Sequence, residues 1–285
     1  MKIAFFGGEP LSVPVLNELK DFDIIPELIV CNPDRPSGRK MQLTPPPTKV
    51  WGEKNNIEIF QPETYKDKVV KNKLTEGEFD LFIVVAYGKI LPKWLIDLPK
   101  HGTLNIHPSL LPSLRGPSPI RSAILEDIRE TGVTIIKMDE EMDHGPILTQ
   151  MKMEIDPKNW PVDGTELDTA MARMGGALLA SVIPDWIEGK ITPTEQDHDK
   201  ATFCSKITKD MSELKINPHD LPKDDEAYQI LLKIKAFSGW PETFFMHEEK
   251  RIKIKQAHID ETNTLNITLI VPEGKKETDF SAYFK

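Results

Sequence analysis

The sequence lacks the long apolar stretches and the cysteine pattern of membrane and secreted proteins. No apolar run approaches the roughly 18 residues that a membrane-spanning helix needs, and the apolar start over residues 1–6 is too short for the core of a signal peptide. The chain has only two cysteines, Cys31 and Cys204, which we expect to be reduced and buried. These absences predict a cytoplasmic protein that does not bind membranes.

Metal-ligand spacings and a complete dinucleotide-binding motif are also missing. The seven histidines never occur in the H-x-x-x-H spacing of a metal-binding helix, so we predict no metal site. A dinucleotide-binding turn reads G-x-G-x-x-G, whereas residues 7–10 (Gly-Gly-Glu-Pro) contain a proline and the third glycine is absent. A nicotinamide-dependent oxidoreductase is therefore a weak interpretation.

Acidic residues outnumber basic ones, 45 to 36, but basic residues are concentrated in two segments. The net charge of −9 argues only weakly against a nucleic-acid partner, because local patches govern electrostatic binding. Residues 32–49 contain four basic side chains and a single acid, Asp34. Near the C-terminus Arg251, Lys253 and Lys255 alternate with isoleucines, so a strand there would have one basic face. A simple solvated strand face would give the same pattern.

The first half of the chain alternates strand and helix signals. With 39% hydrophobic residues, the 285-residue chain can bury a substantial core. The alternation predicts an α/β fold, with a Rossmann-like parallel-rich sheet and helices on both faces. Functional groups in such sheets gather beyond the carboxyl ends of the strands. The predicted strands are 2–6, 24–30, 57–60, 80–86, 104–107 and 131–138.

The pattern changes in the second half. Residues 163–189 predict one helix, in which Pro184 should cause a kink or an early end. Residues 190–223, rich in proline, acids and lysine, predict a linker. An amphipathic helix over 224–237 and three strand-like runs then predict a small β-rich, barrel-like domain. The expected organisation is an α/β domain over 1–189, a linker over 190–223 and a C-terminal domain over 224–285.

An amide, an imidazole and a carboxylate follow strand signals of the α/β half. Asn105 and His107 are two residues apart, so on a strand both side chains point to the same face. Asp143 follows the β-rich stretch 131–138. Each residue alone is more often structural. Together, such a set can stabilise an oxyanion and tune an imidazole, as acyl or formyl transfer requires.

The surrounding motif reads Asn105-Ile106-His107-Pro108-Ser109-Leu110-Leu111-Pro112, and Asp143-His144-Gly145 follows later. It resembles the signature of the formyltransferases that act on glycinamide ribonucleotide and on methionyl-tRNA, and the resemblance extends along almost the whole chain. It implies that the donor is 10-formyltetrahydrofolate, that the acceptor is a primary amine, and that residues 1–189 form the formyl-transfer domain.

The same resemblance implies a role for each residue. Asn105, through its amide N–H, and His107, as an imidazolium, would stabilise the tetrahedral oxyanion. Asp143 would favour the charged imidazole and help to move the amine proton through a water molecule. The implied folate-binding residues are Ser109, Leu110, Leu111, Pro112, Val85, Tyr87 and Gly88.

Two segments indicate the acceptor. Residues 32–40 resemble a Pro-Asp-Arg-Pro-x-Gly-Arg loop of the methionyl-tRNA branch, and residues 236–243 resemble the segment that opens its small β-barrel domain. The resemblance implies initiator methionyl-tRNA as the acceptor, and hence a role in translation initiation. We also expect a monomer, and a loop over 35–40 that is mobile without tRNA. The implied tRNA-binding residues are Arg39, Lys40, Arg35, Arg251 and Lys253.

Other interpretations remain open. Ser238-Gly239 replaces the Asn-Pro of the tRNA branch, and Pro108 replaces a glycine that is common there. A formyltransferase acting on a small amine such as an amino-sugar nucleotide is the main alternative. A hydrolase that releases formate from the same donor is another. A non-catalytic folate-binding module would leave the three polar residues without a use.

Overall fold

The computed structural model describes residues 1–37 and 41–284. The helices of this part are α1 (Ser12–Asp21), α2 (Pro47–Lys54), α3 (Lys68–Glu76), α4 (Lys93–Ile96), α5 (Pro119–Leu125), α6 (Gly164–Ile187), α7 (Asp224–Ala236) and α8 (Phe280–Tyr283). The strands are β1 (Ile3–Gly7), β2 (Leu28–Val30), β3 (Arg35–Ser37), β4 (Gln42–Thr44), β5 (Glu58–Phe60), β6 (Leu81–Val85), β7 (Thr103–His107), β8 (Thr131–Lys137), β9 (Ile147–Met153), β10 (Phe244–His247), β11 (Lys250–Ile259), β12 (Leu265–Pro272) and β13 (Thr278–Asp279). Within these residues, no helix is both long and apolar enough to cross a membrane.

Residues 1–117, 132–153 and 169–203 form one compact unit, called unit 1. It is built on a seven-stranded sheet with the order β5-β2-β1-β6-β7-β8-β9. The strands from β5 to β7 are parallel, whereas β7 and β8 pair antiparallel. The predicted parallel-rich α/β fold is confirmed.

The central strands of this sheet are apolar along their whole length. Strands β1 (IAFFG) and β6 (LFIVV) are buried at every position. Continuous burial is typical of parallel strands that are covered on both faces by helices. Phe6 and Phe82 pack with ring centroids 4.9 Å apart, so aromatic packing contributes to the centre of this core.

Helix α6 approaches strand β7 closely. A Cβ atom at Gly175 would lie 2.6 Å from Ile106 Cγ2, so glycine is needed for this contact. Strand β7, which contains Asn105 and His107, is therefore backed by a helix at short range. Pro184 does not end α6 early, since the helix continues to Ile187.

Residues 118–131, 154–168 and 204–285 form a second compact unit, called unit 2. Its four-stranded sheet has the order β10-β11-β12-β13, with antiparallel pairing throughout. The small β-rich region predicted near the C-terminus is confirmed. Leu231 and Ile234 of α7 share a hydrophobic core with Phe245, Ile252 and Ile254 of the sheet.

The range 190–223, predicted as a linker, is divided between the two units. Residues 190–203 belong to unit 1 and residues 204–223 to unit 2. Within unit 1, Thr194 pairs with Ile147, and Phe203 pairs with Arg115. The domain limits 1–189 and 224–285 stay predictions.

Candidate active site

Strand β7 delivers Asn105 and His107 to the centre of the sheet of unit 1. Asn105 pairs with Val84 of β6 on one side and with Ile136 of β8 on the other. The spacing of two residues places both side chains on one face, as the sequence predicted. The Asn105 side chain is half-buried and has no hydrogen-bond partner among residues 1–37 and 41–284. Its amide is therefore available to a ligand.

The His107 ring is buried, with 4% of the residue exposed. Its Nε2 lies 2.9 Å from the carbonyl oxygen of Leu114. A carbonyl can only accept a hydrogen bond, so Nε2 is the protonated nitrogen. The other nitrogen, Nδ1, lies 3.5 Å from Oδ1 of Asp143. Both ring nitrogens therefore face oxygen atoms of the protein, one within hydrogen-bond distance and the other slightly beyond it.

Asp143 lies in the turn between β8 and β9. Its backbone adopts φ +52, a left-handed conformation that aspartate tolerates better than most residues. Its Oδ2 accepts a hydrogen bond of 2.7 Å from the backbone N–H of Gly116, and 11% of the side chain is exposed. Two residues on, a Cβ atom at Gly145 would lie 1.9 Å from the carbonyl oxygen of Lys137. The glycine is thus required for the tight turn. We call Asn105, His107 and Asp143, the three residues predicted to be catalytic, the catalytic corner.

The tripeptide Leu114-Arg115-Gly116 contacts two members of the catalytic corner. Leu114 accepts from His107, and Gly116 donates to Asp143. Thr202 in turn holds the tripeptide, because its Oγ1 accepts from Leu114 N–H at 2.9 Å and its carbonyl accepts from Arg115 N–H at 2.9 Å. Arg115 and Gly116 were visible beside the motif, but nothing in the sequence indicated these contacts or the role of Thr202.

The turn that follows His107 is rigid and internally hydrogen-bonded. Thr134 Oγ1 donates to the carbonyl of Ser109 at 2.7 Å and accepts from the N–H of Leu111 at 3.1 Å. Ser109 and Leu111 are buried, whereas Leu110 and Pro112 are half-buried. The four residues predicted to bind folate here thus form a fixed surface rather than a flexible loop.

The other predicted folate segment follows strand β6. Ser12 Oγ donates to the carbonyl of Val85 at 2.8 Å, and Asn32 Nδ2 donates to that of Tyr87 at 3.0 Å. Burial raises the pKa of Tyr87 to about 12, so the phenol is neutral. Gly88 is exposed with φ +76. Because β6 and β7 are parallel neighbours, both predicted folate segments lie at the same edge of the sheet.

The predicted tRNA-binding residues of unit 1 are only partly described. Arg39 and Lys40, and with them half of the loop expected to be mobile over 35–40, lie outside the described residues. Arg35 lies in β3 and forms an ion pair with Glu63, with Arg35 Nη2 3.1 Å from Glu63 Oε2. Both side chains are 68% exposed, so the pair is easily opened.

The predicted residues of unit 2 lie on β11, and we call Arg251, Lys253 and Lys255 the basic strand. Lys253 and Lys255 both bind the carboxylate of Glu242. Burial opposes ionisation of Glu242, but the two ammonium groups outweigh it and hold the pKa of its carboxyl below the usual value. The Arg251 guanidinium lies 3.7 Å from the ring centroid of Phe244, in cation–π contact.

Metal-ligating side chains are not clustered in the part of the chain that the structure describes. Within it, no group of three or more His, Cys, Asp and Glu side chains is arranged to hold an ion. The two titratable side chains of the catalytic corner, His107 and Asp143, lie with Nδ1 3.5 Å from Oδ1. The arrangement therefore combines an amide without a partner among the described residues, a buried imidazole and a carboxylate, which suits electrostatic stabilisation and proton transfer at a carbonyl.

Known proteins resemble this chain along most of its length. The formyl transferase family model matches residues 1–183, and the model of the formyl transferase C-terminal domain matches residues 223–278. A methionyl-tRNA formyltransferase from Halalkalibacterium halodurans is 40% identical over 254 residues, covering 89% of this chain and 77% of that protein. One from Listeria monocytogenes serotype 4b is 39% identical over 307 residues, covering 99% and 94%.

Solved structures show the same fold at lower identity. An N-formyltransferase from Helicobacter canadensis, in complex with folinic acid and dTDP-3-aminofucose, is 16% identical with a TM-score of 0.61. The match covers 94% of this chain and 98% of that one.

Proposed function

Because this chain belongs to the formyl transferase family, we propose that it transfers a formyl group from 10-formyltetrahydrofolate to the amino group of initiator methionyl-tRNA. The chemistry is supported above all by the catalytic corner, in which a buried imidazole and a carboxylate face each other beside a free amide. The acceptor is supported by relatives of that name at 39–40% identity over most of the chain. Such a reaction belongs to translation initiation and hence to the cytoplasm.

Asn105 is the proposed hydrogen-bond donor to the reaction intermediate. The amine attacks the formyl carbon, and the carbonyl oxygen becomes a tetrahedral oxyanion. The amide of Asn105 is unengaged within the described residues, so it can donate to that oxygen at no cost to the fold. A preorganised donor of this kind typically contributes about a hundredfold to a thousandfold in rate.

His107 contributes charge in this proposal. Both of its nitrogens face protein acceptors, Leu114 O and Asp143 Oδ1, so neither N–H is directed at an open position. A buried imidazolium nevertheless stabilises a nearby oxyanion, because charges interact strongly where water is excluded. His107 would thus act as a fixed positive centre.

Asp143 is the proposed proton carrier. The new bond joins the amine nitrogen to the formyl carbon, and the bond from that carbon to N10 of the folate breaks. The amine gives up a proton and N10 takes one. A partly exposed carboxylate that is held by Gly116 can accept the first proton through a water molecule and return it to the leaving nitrogen.

The two fixed turns at the edge of the sheet are the proposed folate site. The segment Ser109 to Pro112 offers a rigid wall, and the turn with Val85, Tyr87 and Gly88 offers backbone groups beside it. Ligands of open α/β sheets bind beyond the carboxyl ends of the strands. Both turns lie at such ends in neighbouring parallel strands.

The proposed contacts to tRNA are with phosphates. Arg35, Arg39 and Lys40 would bind from unit 1, while Arg251 and Lys253 would bind from unit 2. Cationic side chains that contact phosphates position a nucleic acid without reading its sequence. Lys253 must leave Glu242 for this, so its contribution is smaller than its charge suggests.

The decisive experiment measures formyl transfer from 10-formyltetrahydrofolate to methionyl-tRNA, with an amino-sugar nucleotide as a competing acceptor. We expect formylated methionyl-tRNA and no formylated sugar. Transfer to the sugar alone would retain the chemistry and overturn the acceptor. Release of formate with neither amine present would indicate a hydrolase.

A further inference from the structure

A buried amide supports the catalytic corner from the segment 190–203 of unit 1. Gln196 is 5% exposed. Its Nε2 donates to the carbonyl of Asp143 at 2.9 Å and to that of Gly145 at 2.8 Å. One side chain therefore holds the turn of the catalytic carboxylate on both sides of His144.

Arg115 determines which end of the Gln196 amide faces that turn. Its Nε and Nη2 lie 3.1 Å and 2.7 Å from Gln196 Oε1. A guanidinium can only donate, so the atom facing it must be the amide oxygen. The NH2 group is thereby directed at the two carbonyls. Arg115 is 4% exposed and forms no ion pair within residues 1–37 and 41–284, which is unusual for a buried cation.

A second contact from Arg115 acts through His198 on His144, the residue between Asp143 and Gly145. Arg115 Nη2 lies 2.8 Å from Nδ1 of His198, which must accept, so the His198 proton is on Nε2. The His198 ring stacks on the ring of His144 at 4.0 Å with an interplanar angle of 3°. His144 Nδ1 lies 2.6 Å from Asp139 Oδ2. Residues 143, 144 and 145 are thus each held, and the contacts made by Gln196 and His198 lead back to Arg115.

We propose that Gln196, oriented by Arg115, is a positioning residue that holds Asp143 in register with His107. This inference rests on the formyl-transfer function proposed above. Asp143 has a left-handed backbone, and such conformations persist only where the surroundings enforce them. The Nδ1–Oδ1 distance of 3.5 Å is already beyond a normal hydrogen bond. A small displacement would therefore uncouple the carboxylate from the imidazole.

The test replaces Gln196 by methionine, which keeps the length of the side chain and removes its polar end. We expect kcat to fall about tenfold to a hundredfold, as for displacements of about 1 Å at a catalytic group. The KM values for folate and for methionyl-tRNA should stay within twofold. Asn17→Leu is the control, because it removes the exposed side chain whose Oδ1 accepts from the buried Trp51 indole elsewhere in unit 1 and should lower Tm without lowering kcat.

A double-mutant cycle separates positioning from general damage. If Gln196 acts through the carboxylate of Asp143, Gln196→Met should cause no further loss of kcat in the Asp143→Asn background. A loss of the same size in both backgrounds would overturn the proposal, as would an unchanged kcat in the wild-type background.

A crystal structure of Gln196→Met gives a result that is independent of the acceptor. Movement of Asp143 Oδ1 away from His107 Nδ1 by about 1 Å or more is expected, and an unmoved Asp143 would overturn the proposal. If the wild type formylates neither methionyl-tRNA nor an amino sugar, the proposed function fails. The position of Asp143 in this variant would then decide the inference about Gln196 by itself.

Discussion

The catalytic corner of unit 1 and the basic strand of unit 2 are both clusters of polar residues that the sequence singled out, yet their surroundings differ. In the catalytic corner, the Asn105 side chain has no hydrogen-bond partner within the described residues, and Oδ1 of Asp143 lies 3.5 Å from Nδ1 of His107. On the basic strand, Lys253 and Lys255 share the carboxylate of Glu242. The first cluster therefore presents an available amide, whereas two of the three cations of the second are already paired with one acid of its own unit.

The difference shows which kind of sequence pattern predicts a side chain that is available to bind a ligand. The position of Asn105 and His107 follows from the alternation of a strand, which is a property of the backbone. The availability of a lysine depends on which acid reaches it in the folded chain, which a count of charges does not contain. Patterns of geometry therefore transfer to the structure better than patterns of charge.

The largest expected effect concerns the corner. Asp143→Asn preserves the shape of the side chain but removes its charge and its ability to accept a proton. We expect kcat for formyl transfer to fall about a hundredfold to ten-thousandfold. The measurement is single-turnover transfer to methionyl-tRNA at saturating folate. Glu141→Gln, an exposed change of equal charge in the same turn, should retain activity. Equal losses in the two variants would show that net charge, not Asp143, matters.

The fold was predictable where local pattern and burial agree. Strands β1, β6 and β7 were predicted to within one residue, because continuous apolar runs have few alternative structures. Strand β9 (ILTQMKM) was missed, since most of its residues are half-buried or exposed and its pattern is weak. The hairpin β3–β4 was also missed, because its sequence RPS and QLT contains a proline and little apolar signal.

In the candidate site, the three motif residues were predictable, but the residues that hold them in place were not. Asn105, His107 and Asp143 belong to a motif, so their proximity could be inferred. Gln196 and Thr202 lie in a range that was predicted as a linker, and their contacts depend on how the chain returns to unit 1. Such support involves residues 51 to 88 positions apart along the chain, so a local sequence pattern cannot predict it.

A moderate effect on tRNA affinity is expected when the lysines of the basic strand no longer pair with Glu242. Glu242→Gln removes the carboxylate that binds Lys253 and Lys255, so tRNA should bind several-fold more tightly at low salt. The slope of log K against log salt should become steeper by about 0.7 to 0.9 for each lysine that gains a phosphate. The measurement is a salt titration of tRNA binding by filter retention or fluorescence.

The control for this change lies on the same hairpin. Glu248→Gln alters the net charge equally, but Glu248 is exposed and has no ion pair within the described residues. It should leave the salt slope unchanged. If Glu242→Gln also left the salt slope unchanged, the basic strand would not contact tRNA. Its comparison with the catalytic corner would then not concern two functional sites.

A smaller effect is expected on stability. The pKa of Glu242 lies below its usual value in the folded chain, so ionisation of this carboxyl stabilises the fold at neutral pH. The contribution is present above the usual glutamate pKa of about 4.3 and is lost as the pH falls through the lower, folded value. The free energy of unfolding of the wild type should exceed that of Glu242→Gln by up to about 1 kcal/mol at pH 7, and the two should be equal near pH 2. A difference independent of pH would point to packing instead, and urea unfolding at both pH values measures it.

The smallest effect is expected at the exposed pair of unit 1. Glu63→Gln releases Arg35, but both side chains are 68% exposed, so solvent already screens the pair. Unfolding free energy should change by less than about 0.5 kcal/mol, and tRNA affinity should rise less than in Glu242→Gln. Urea unfolding and the same salt titration measure both quantities. A gain in affinity equal to that of Glu242→Gln would show that the exposure of an ion pair does not determine how strongly the acid competes with tRNA for the cation. The contrast between the partly buried pairs of Glu242 and the exposed pair of Glu63 would then fail.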